Sequence, residues 1–399
     1  MIRLLCSVVL VSVLAACSSS PSPVLPPKKL EPVRNELSIQ KLWSKKIDSG
    51  ASENYLRLEP VVDGDILFSV DYTGKVTAFD TKSKDTHWSQ ALGAPGSSPL
   101  AFADDNLYVG SSEGVLFALS AKDGGLLWKV QLESEILAKP VISKGLVIAR
   151  CVNGDVIALR QDSGKQLWRI EERTPALTLR GLSTPVIYND LLLVAFDNGK
   201  LKAVALQTGK QIWETVVAVP RGRSDLERIV DLDSTPVVMD DVVYSIAYQG
   251  RLVAIQLGSG QIIWQRDIDS YLDFTVDAYR IYIVSSDGVV WALDRSNGAT
   301  LWKQDALLRR GLTAPRIFAD YIIVGDYNGY VHWLRRDTGK LDARIRMLDF
   351  AYTSPDLDET DADIFPKENN ILITPIVSHD RLILVDRFGH AEAFKVSER

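Results

Sequence analysis

The sequence predicts an all-β protein, an eight-bladed β-propeller in which every blade is a four-stranded antiparallel sheet. A segment with glycine first and, in seven cases, alanine fifth recurs eight times along the 399 residues. Successive copies lie 38 to 60 residues apart, a spacing typical of propeller blades. A proline precedes most copies and a tryptophan follows most of them. The copies begin at Gly74, Gly114, Gly154, Gly199, Gly250, Gly288, Gly329 and Gly389.

In seven of the eight repeats, the first strand begins at or beside a proline. Proline is tolerated at the start of a strand, where its missing N–H removes no bond from the ladder. The sixth repeat is the exception and enters at Thr275. The prolines are Pro60, Pro99, Pro140, Pro185, Pro236, Pro315 and Pro375.

The recurring glycine opens a tight turn into the third strand of each repeat. This strand is apolar on both faces, as expected for a sheet packed between two others. The alanine within it predicts a close approach between neighbouring sheets. Trp333 stands in the alanine position of the seventh repeat.

A second turn and a tryptophan-bearing fourth strand complete the repeat. Buried indoles would supply contact area between blades, with each ring N–H needing an acceptor. The tryptophans are Trp88, Trp128, Trp168, Trp213, Trp264 and Trp302. Lys84 replaces the turn glycine before Trp88, and Ala343 takes the tryptophan position of the seventh repeat. The pattern therefore predicts that the seventh blade lacks an aromatic wedge.

The two ends of the repeat region are complementary. The last repeat ends near Phe394 without a tryptophan strand, whereas an isolated strand pattern around Trp43 opens the chain. We expect this N-terminal strand to complete the eighth blade, which would leave no unpaired sheet edge. The propeller is predicted to span residues 37–399.

The N-terminus has the pattern of a bacterial lipoprotein precursor. Arg3 precedes an apolar run over 4–16, which is too short to span a bilayer and has the length of a signal-peptide core. Leu14-Ala15-Ala16-Cys17 resembles the lipobox. This resemblance predicts a signal peptide over 1–16 and a mature N-terminus at Cys17 that carries acyl chains such as palmitate. Ser18 after the cysteine implies transport to the outer membrane. The alternative is an ordinary signal peptide that contains a cysteine.

A segment rich in proline and serine follows the cysteine. Residues 17–36 show no periodicity and predict a lipid-anchored tether. About 19 residues at ~3.1 Å each would reach at most ~60 Å.

Charge and composition exclude several classes of function. The net charge of −6 and the absence of a basic stripe argue against nucleic acid. His87, His332, His379 and His390 fall in different repeats, and no catalytic or metal-ligand motif is present. Cys151 is predicted to be a buried apolar residue. We therefore predict no catalytic residue, no metal and no cofactor.

One acidic stretch lies in the insertion over 349–370, between the seventh and eighth repeats. Counted from Asp356, an EF-hand loop would need glycine at its sixth position and glutamate at its twelfth, but the sequence has Asp361 and Lys367 there. A solvated acidic loop is the better interpretation.

The turn and tryptophan over 158–168 resemble the docking motif of pyrroloquinoline quinone dehydrogenase propellers. That resemblance implies the architecture alone, because those enzymes place adjacent cysteines beneath the quinone and this chain has no such pair. A degenerate quinoprotein is the enzyme alternative. A lipobox, a tether and eight such blades together resemble the outer-membrane protein assembly factor BamB family, lipoprotein subunits of the β-barrel assembly machinery.

This second resemblance implies a non-enzymatic scaffold anchored in the outer membrane and facing the periplasm. It would bind the POTRA domains of the BamA-type barrel subunit and assist the folding and insertion of outer-membrane proteins, with nascent chains as further partners. The other class of function is a propeller that binds peptidoglycan or another small ligand. Aromatic side chains at a central pocket would favour that second class.

Three connections between repeats are long, over 169–184, 214–235 and 344–374, and long loops on a rigid scaffold often carry function. The first two leave consecutive blades and must be neighbours. They contain a mixed apolar and charged set of residues, which falls on the partner-binding positions of the BamB family: Leu177, Leu179, Arg180, Asp231 and Asp233. Alternatively, Arg180 and the aspartates pair with each other and only order the loops.

Overall fold

The computed structural model describes residues 25–180, 183–347, 371, 373–378 and 380–398. It contains eight four-stranded sheets, each antiparallel, arranged as the predicted eight-bladed propeller. Within these ranges the only helical segment is the 3-10 turn Leu226–Arg228. No helix in the described part of the chain is long and apolar enough to cross a membrane. The sequence-predicted fold class is confirmed.

The first four blades follow one another along the chain, with four consecutive strands in each. Blade one contains β2 (Val61–Asp63), β3 (Ile66–Val70), β4 (Lys75–Asp80) and β5 (Thr86–Ala91). Blade two contains β6 (Ala101–Ala103), β7 (Asn106–Gly110), β8 (Val115–Ser120) and β9 (Leu126–Gln131). Blade three contains β10 (Val141–Ser143), β11 (Leu146–Arg150), β12 (Val156–Arg160) and β13 (Gln166–Ile170). Blade four contains β14 (Val186–Tyr188), β15 (Leu191–Ala195), β16 (Lys200–Ala205) and β17 (Gln211–Val216).

The remaining blades keep this order until the chain termini meet in blade eight. Blade five contains β18 (Val237–Met239), β19 (Val242–Ile246), β20 (Leu252–Gln256) and β21 (Ile262–Arg266). Blade six contains β22 (Thr275–Val276), β23 (Arg280–Val284), β24 (Val290–Asp294) and β25 (Thr300–Gln304). Blade seven contains β26 (Arg316–Phe318), β27 (Tyr321–Gly325), β28 (Tyr330–Arg335) and β29 (Leu341–Arg346). Blade eight contains β30 (Ile376–Ser378), β31 (Arg381–Val385), β32 (His390–Glu398) and the N-terminal β1 (Leu37–Lys46).

Because consecutive strands are antiparallel, the ring has two distinct faces. The glycine turns and the connections between blades share one end of the blades, which we call the loop face. There the N–H of Leu92 donates to the carbonyl of Gly74 over 2.9 Å. The remaining turns share the other end, which we call the turn face, and there the N–H of Gln161 donates to the carbonyl of Gly145 over 2.9 Å.

Each tryptophan of the first six blades packs on a glycine of the next blade. The indole of Trp168 in blade three is an example: its N–H donates to the carbonyl of Leu206 in blade four over 3.1 Å. Gly209 lies against the ring, and a Cβ there would come within 2.8 Å of Cε3 of Trp168. The same contact with glycine recurs for Trp88, Trp128, Trp213, Trp264 and Trp302, on Gly124, Gly164, Gly260, Gly298 and Gly339.

The tryptophans are less buried than the repeat predicted. Trp213 and Trp302 are buried, but Trp128 and Trp168 keep part of the ring in solvent. The fourth strand is the outermost strand of each blade. Its tryptophan therefore packs at the outer edge of the interface between two blades and does not fill the centre of that interface.

Blade seven has its aromatic residue on a different strand, which corrects the prediction that the wedge is lost. Trp333 on β28 is fully buried and lies directly opposite Ala343 on β29. In the other blades the order is reversed, with alanine on the third strand and tryptophan on the fourth, as in Ala158 opposite Trp168. The blade keeps one indole and one methyl group, with their places exchanged.

The predicted closure by the N-terminal strand is confirmed. β1 pairs with β32 in antiparallel register, and Trp43 lies opposite Ala393, the same relationship as in other blades. Trp43 is buried and its ring packs against Phe79 of blade one, with 5.4 Å between ring centroids. The ends of the chain therefore close the ring.

Residues 25–36, which we call the strap, lie along blades six and seven and contain no helix or strand. The N–H of Lys28 donates to the carbonyl of Leu308 on the loop face over 2.9 Å. The N–H of Glu36 donates to the carbonyl of Asp342, near the turn face, over 2.8 Å. The part of the expected tether that the structure describes is thus held against the propeller.

Candidate functional site

The two long connections after blades three and four lie side by side on the loop face, as the sequence predicted. Ser183 in the first loop donates its hydroxyl to the carbonyl of Ser234 in the second over 3.2 Å. The N–H of Leu179 donates to the carboxylate of Asp231. The first loop is therefore fixed by groups of the second.

Leu177 and Arg180 form the exposed part of this site. The side chain of Leu177 is 42% exposed and that of Arg180 is 59% exposed. The guanidinium of Arg180 binds the carboxylate of Glu135 from the preceding connection, not the aspartates of the second loop. Its backbone has φ of 79°, an unusual value for a residue with a Cβ. Leu179 between them is half-buried.

Asp231 and Asp233 lie in the interior, which changes the role expected for them. They are 0% and 3% exposed, so neither presents a carboxylate at the surface. Burial raises the pKa of Asp231 to about 8, and the nearby carboxylates of Asp233 and Asp197 add to this, whereas the hydrogen bond from Leu179 opposes it. Asp231 positions the first loop from beneath.

A buried ion pair supports the first of these loops. The guanidinium of Arg150, at the end of β11, binds the carboxylate of Asp197 over 2.5 Å, and both side chains are 1% exposed. Arg150 also donates to the carbonyl of Ser183 over 3.2 Å. Sequence reasoning missed this pair, although an arginine at the end of an apolar strand was a usable signal, since buried charge needs a partner.

A pocket of about 480 Å³ opens at the centre of the loop face. Its walls come from connections and turns of several blades. Leu179 and Asp233 belong to these walls, so the pocket is continuous with the two long loops. Four tyrosines and four leucines dominate the lining. The tyrosines, which define what we call the tyrosine pocket, are Tyr55, Tyr248, Tyr271 and Tyr327.

Two other sequence-predicted features, Cys17 and the acidic insertion over 349–370, lie outside the described residues. Cys151 is buried, and burial raises the pKa of its thiol to about 12. Such a thiol remains protonated at neutral pH, so it is unsuited to nucleophilic chemistry. The part of the chain that the structure describes contains no group of three or more His, Cys, Asp or Glu placed to hold a metal ion.

Comparison with known proteins agrees with this architecture. The family model described as "Outer membrane protein assembly factor BamB" matches residues 35–101 and 93–304, more than half of the chain. A protein named outer membrane protein assembly factor BamB from Yersinia pestis is 36% identical over 404 residues, covering 98% of each chain.

Solved structures share the fold. The crystal structure of BamB from Moraxella catarrhalis superposes with a TM-score of 0.78 at 24% identity, over 90% of this chain and all of the other. A quinohemoprotein alcohol dehydrogenase from Comamonas testosteroni superposes with a TM-score of 0.70 at 12% identity, over 90% of this chain and 76% of the other. At that identity the second match reflects the propeller alone. The chain belongs to the outer membrane protein assembly factor BamB family.

Proposed function

We propose that this protein is a non-enzymatic scaffold of the machinery that folds and inserts β-barrel proteins into the outer membrane. The observation that carries the proposal is the pair of neighbouring loops on the loop face, together with relatives that are named as outer membrane protein assembly factors. The partner would be a periplasmic POTRA domain of the barrel-forming BamA-type subunit. Nascent outer-membrane proteins would be further partners.

The docking surface consists of Leu177, Leu179 and Arg180. An exposed leucine beside an arginine is a combination typical of interface centres, where apolar contact and directed hydrogen bonds act together. The loop is held from beneath by Asp231, so the surface is largely formed before binding. Asp231 therefore acts by positioning the loop, and Asp233, also buried, lines the tyrosine pocket beside it.

Arg180 would exchange partners on binding. In the free protein its guanidinium pairs with Glu135, whose side chain is 19% exposed. An exposed ion pair of this kind contributes roughly 0–1 kcal/mol, so a carboxylate or carbonyl of the partner can replace or share Glu135 at little cost. The planar guanidinium supports several such bonds at once.

The localisation proposed is the periplasmic side of the outer membrane, through acyl chains on Cys17. Several acyl chains give durable attachment, whereas one gives only marginal binding. Cys17→Ala should leave an unprocessed precursor that lacks the lipid. Mass measurement of the mature N-terminus tests this, and a normally lipidated product from the variant would contradict it.

Co-purification with the barrel subunit tests the docking surface. The double variant Leu177→Ala, Arg180→Ala should lose the barrel subunit, since truncating an interface anchor costs about 2 kcal/mol or more, roughly thirtyfold in affinity. The control is Leu167→Ala, Arg160→Ala, with a leucine 47% exposed and an arginine 53% exposed elsewhere on the propeller. Wild-type recovery with the first double variant would show that another surface binds.

One observation favours a second candidate function, binding of a small ligand. The tyrosine pocket places four aromatic rings at the centre of the loop face, and aromatic faces can stack on sugar rings. Isothermal titration with soluble peptidoglycan fragments tests this function. Binding by the wild type and its loss in Tyr248→Ala would support it, whereas no heat with the wild type would dismiss it.

A further inference from the structure

The strap is bound to a buried network of charged side chains, not only to the surface. Arg310 is 4% exposed and pairs with the fully buried carboxylate of Asp326 over 2.7 Å. Its Nη1 donates to the carbonyl of Lys28 in the strap over 3.2 Å. A buried guanidinium needs acceptors for its N–H groups, and the strap supplies one of them to Arg310.

A second arginine repeats this arrangement toward the turn face. Arg344 donates through Nε to Nδ1 of His332 over 3.2 Å and through Nη1 to the carbonyl of Glu31 over 2.8 Å. His332 lies against Asp326, with 3.1 Å between Nε2 and the carboxylate. Burial lowers the pKa of His332, which keeps the ring neutral and able to accept from Arg344. The side chain of Asn35 pairs with the backbone of Arg344 in both directions, over 2.9 and 3.1 Å.

The strap leaves the propeller at the loop face. Arg309, on the connection between blades six and seven, donates through Nε to the carbonyl of Pro26 over 2.8 Å. Lys28 forms an ion pair with Asp305 on the same connection, over 3.0 Å. This connection continues into Gly311, Leu312 and Thr313, which line the tyrosine pocket. The chain preceding Leu25 therefore starts from the face that carries the docking surface.

Only seven residues, 18–24, separate the strap from the cysteine expected to carry the lipid. Together with Cys17 they span at most about 28 Å when fully extended. A free tether over 17–36 would reach more than twice as far. The strap thus shortens the connection between the lipid and the propeller and fixes the point from which it leaves.

We propose that the strap makes the loop face the membrane-proximal face of the propeller, so that the docking surface and the tyrosine pocket face the lipid bilayer and the turn face points into the periplasm. The inference rests on acylation of Cys17. It is independent of which protein binds the docking surface. The surface that the loop face would meet is the lipid headgroup layer, because the short segment between Cys17 and the strap keeps this face close to the bilayer.

Fluorescence quenching in liposomes tests this orientation. The lipidated chain is reconstituted into phosphatidylcholine vesicles that carry a headgroup-attached quencher. A fluorophore is placed on Ser224→Cys, an exposed position in the loop after blade four, or on Thr208→Cys, an exposed position in a turn of the same blade on the opposite face. Cys151 is buried and does not compete for the label.

We expect at least twofold stronger quenching of the label at position 224. Inserting twenty glycine and serine residues between Val24 and Leu25 keeps the strap but lengthens the connection, and should abolish the difference. Equal quenching at the two positions in the original chain, stronger quenching at position 208, or a purified chain whose Cys17 carries no lipid would each overturn the proposal. Co-purification of the same labelled chains with the barrel subunit reports separately on docking.

Discussion

Trp333 and Ala343 face each other across β28 and β29, with the indole on the third strand of blade seven and the methyl on the fourth. The fourth-strand tryptophans of the first six blades pack on a glycine in the turn before the next blade's fourth strand. Blade eight has no such turn, because its fourth strand is β1 from the other end of the chain. A tryptophan at position 343 would find no glycine to pack on, and the indole fills the joint from β28 instead.

Removal of this indole should be costly. Trp333 is fully buried, so Trp333→Ala is expected to lower the free energy of unfolding by about 3–5 kcal/mol. Adding Ala343→Trp should not restore stability, because blade eight lacks the receiving glycine. Thermal unfolding of both variants, with Trp128→Ala at a partly exposed position as the control, measures this. Recovery in the double variant would refute the explanation.

The glycines beneath the tryptophans should tolerate no side chain. Gly209 has φ of 67° and a Cβ there would come within 2.8 Å of Trp168, whereas Gly64 has φ of 56° and open space around it. Both alanine variants incur the backbone cost of a left-handed residue, about 1–2 kcal/mol. Only Gly209→Ala adds overpacking, about 1–3 kcal/mol more. Equal melting temperatures of the two variants would show that the contact with Trp168 is unimportant.

The joint between blades eight and one should be open to improvement. Lys84 occupies the turn position that is glycine in blades two to seven, and it has φ of 65°. Lys84→Gly should stabilise the fold by about 0.5–1 kcal/mol, after the greater freedom of glycine in the unfolded chain is subtracted. The carbonyl that accepts from Nζ of Lys45 is kept. Lys84→Ala retains the backbone strain, so a gain there as large as with glycine would contradict this reasoning.

Stability should fall with rising pH because of Asp231. Its pKa is raised to about 8 by burial, so between roughly pH 4 and pH 8 the folded chain holds a proton that the unfolded chain has lost. The contribution is complete at the acidic end and declines by at most about 1.4 kcal/mol per pH unit until the folded pKa is passed. Asp231→Asn keeps an acceptor for the N–H of Leu179 but does not titrate. Melting temperatures that vary in parallel for wild type and variant from pH 5 to 8 would contradict the assignment.

The repeat pattern was sufficient to predict the architecture and the closure, because both depend on local signals that recur. Each glycine turn, each proline and the isolated strand around Trp43 could be placed without knowing any distant contact. The exchange of tryptophan and alanine between β28 and β29 could not be anticipated. It depends on blade eight, which has no turn between its third and fourth strands. From the sequence of this repeat alone, Ala343 in the tryptophan position indicated that blade seven lacks the packed indole.

The site was predictable only in part. The adjacency of the two long loops follows from blade order, but the burial of Asp231 depends on the neighbouring connection packing over it. Alternating aspartates in a loop are typical of an exposed segment. The tyrosine pocket was missed because its residues come from connections far apart in sequence, and the strap because a composition rich in proline indicates neither contact nor its absence.

The pairing of β1 with β32 has a consequence for how the chain is made. Ser38 pairs with Ser397, and Lys46 pairs with His390. The strand made early in synthesis, β1, therefore lies beside β32, which is made more than 340 residues later. Contacts so distant in sequence form slowly. A chain that stops before β32 leaves β1 without its partner and exposes sheet edges in blade eight. The ring can therefore close only after β32 has been made, and a chain without β32 keeps an unpaired strand edge.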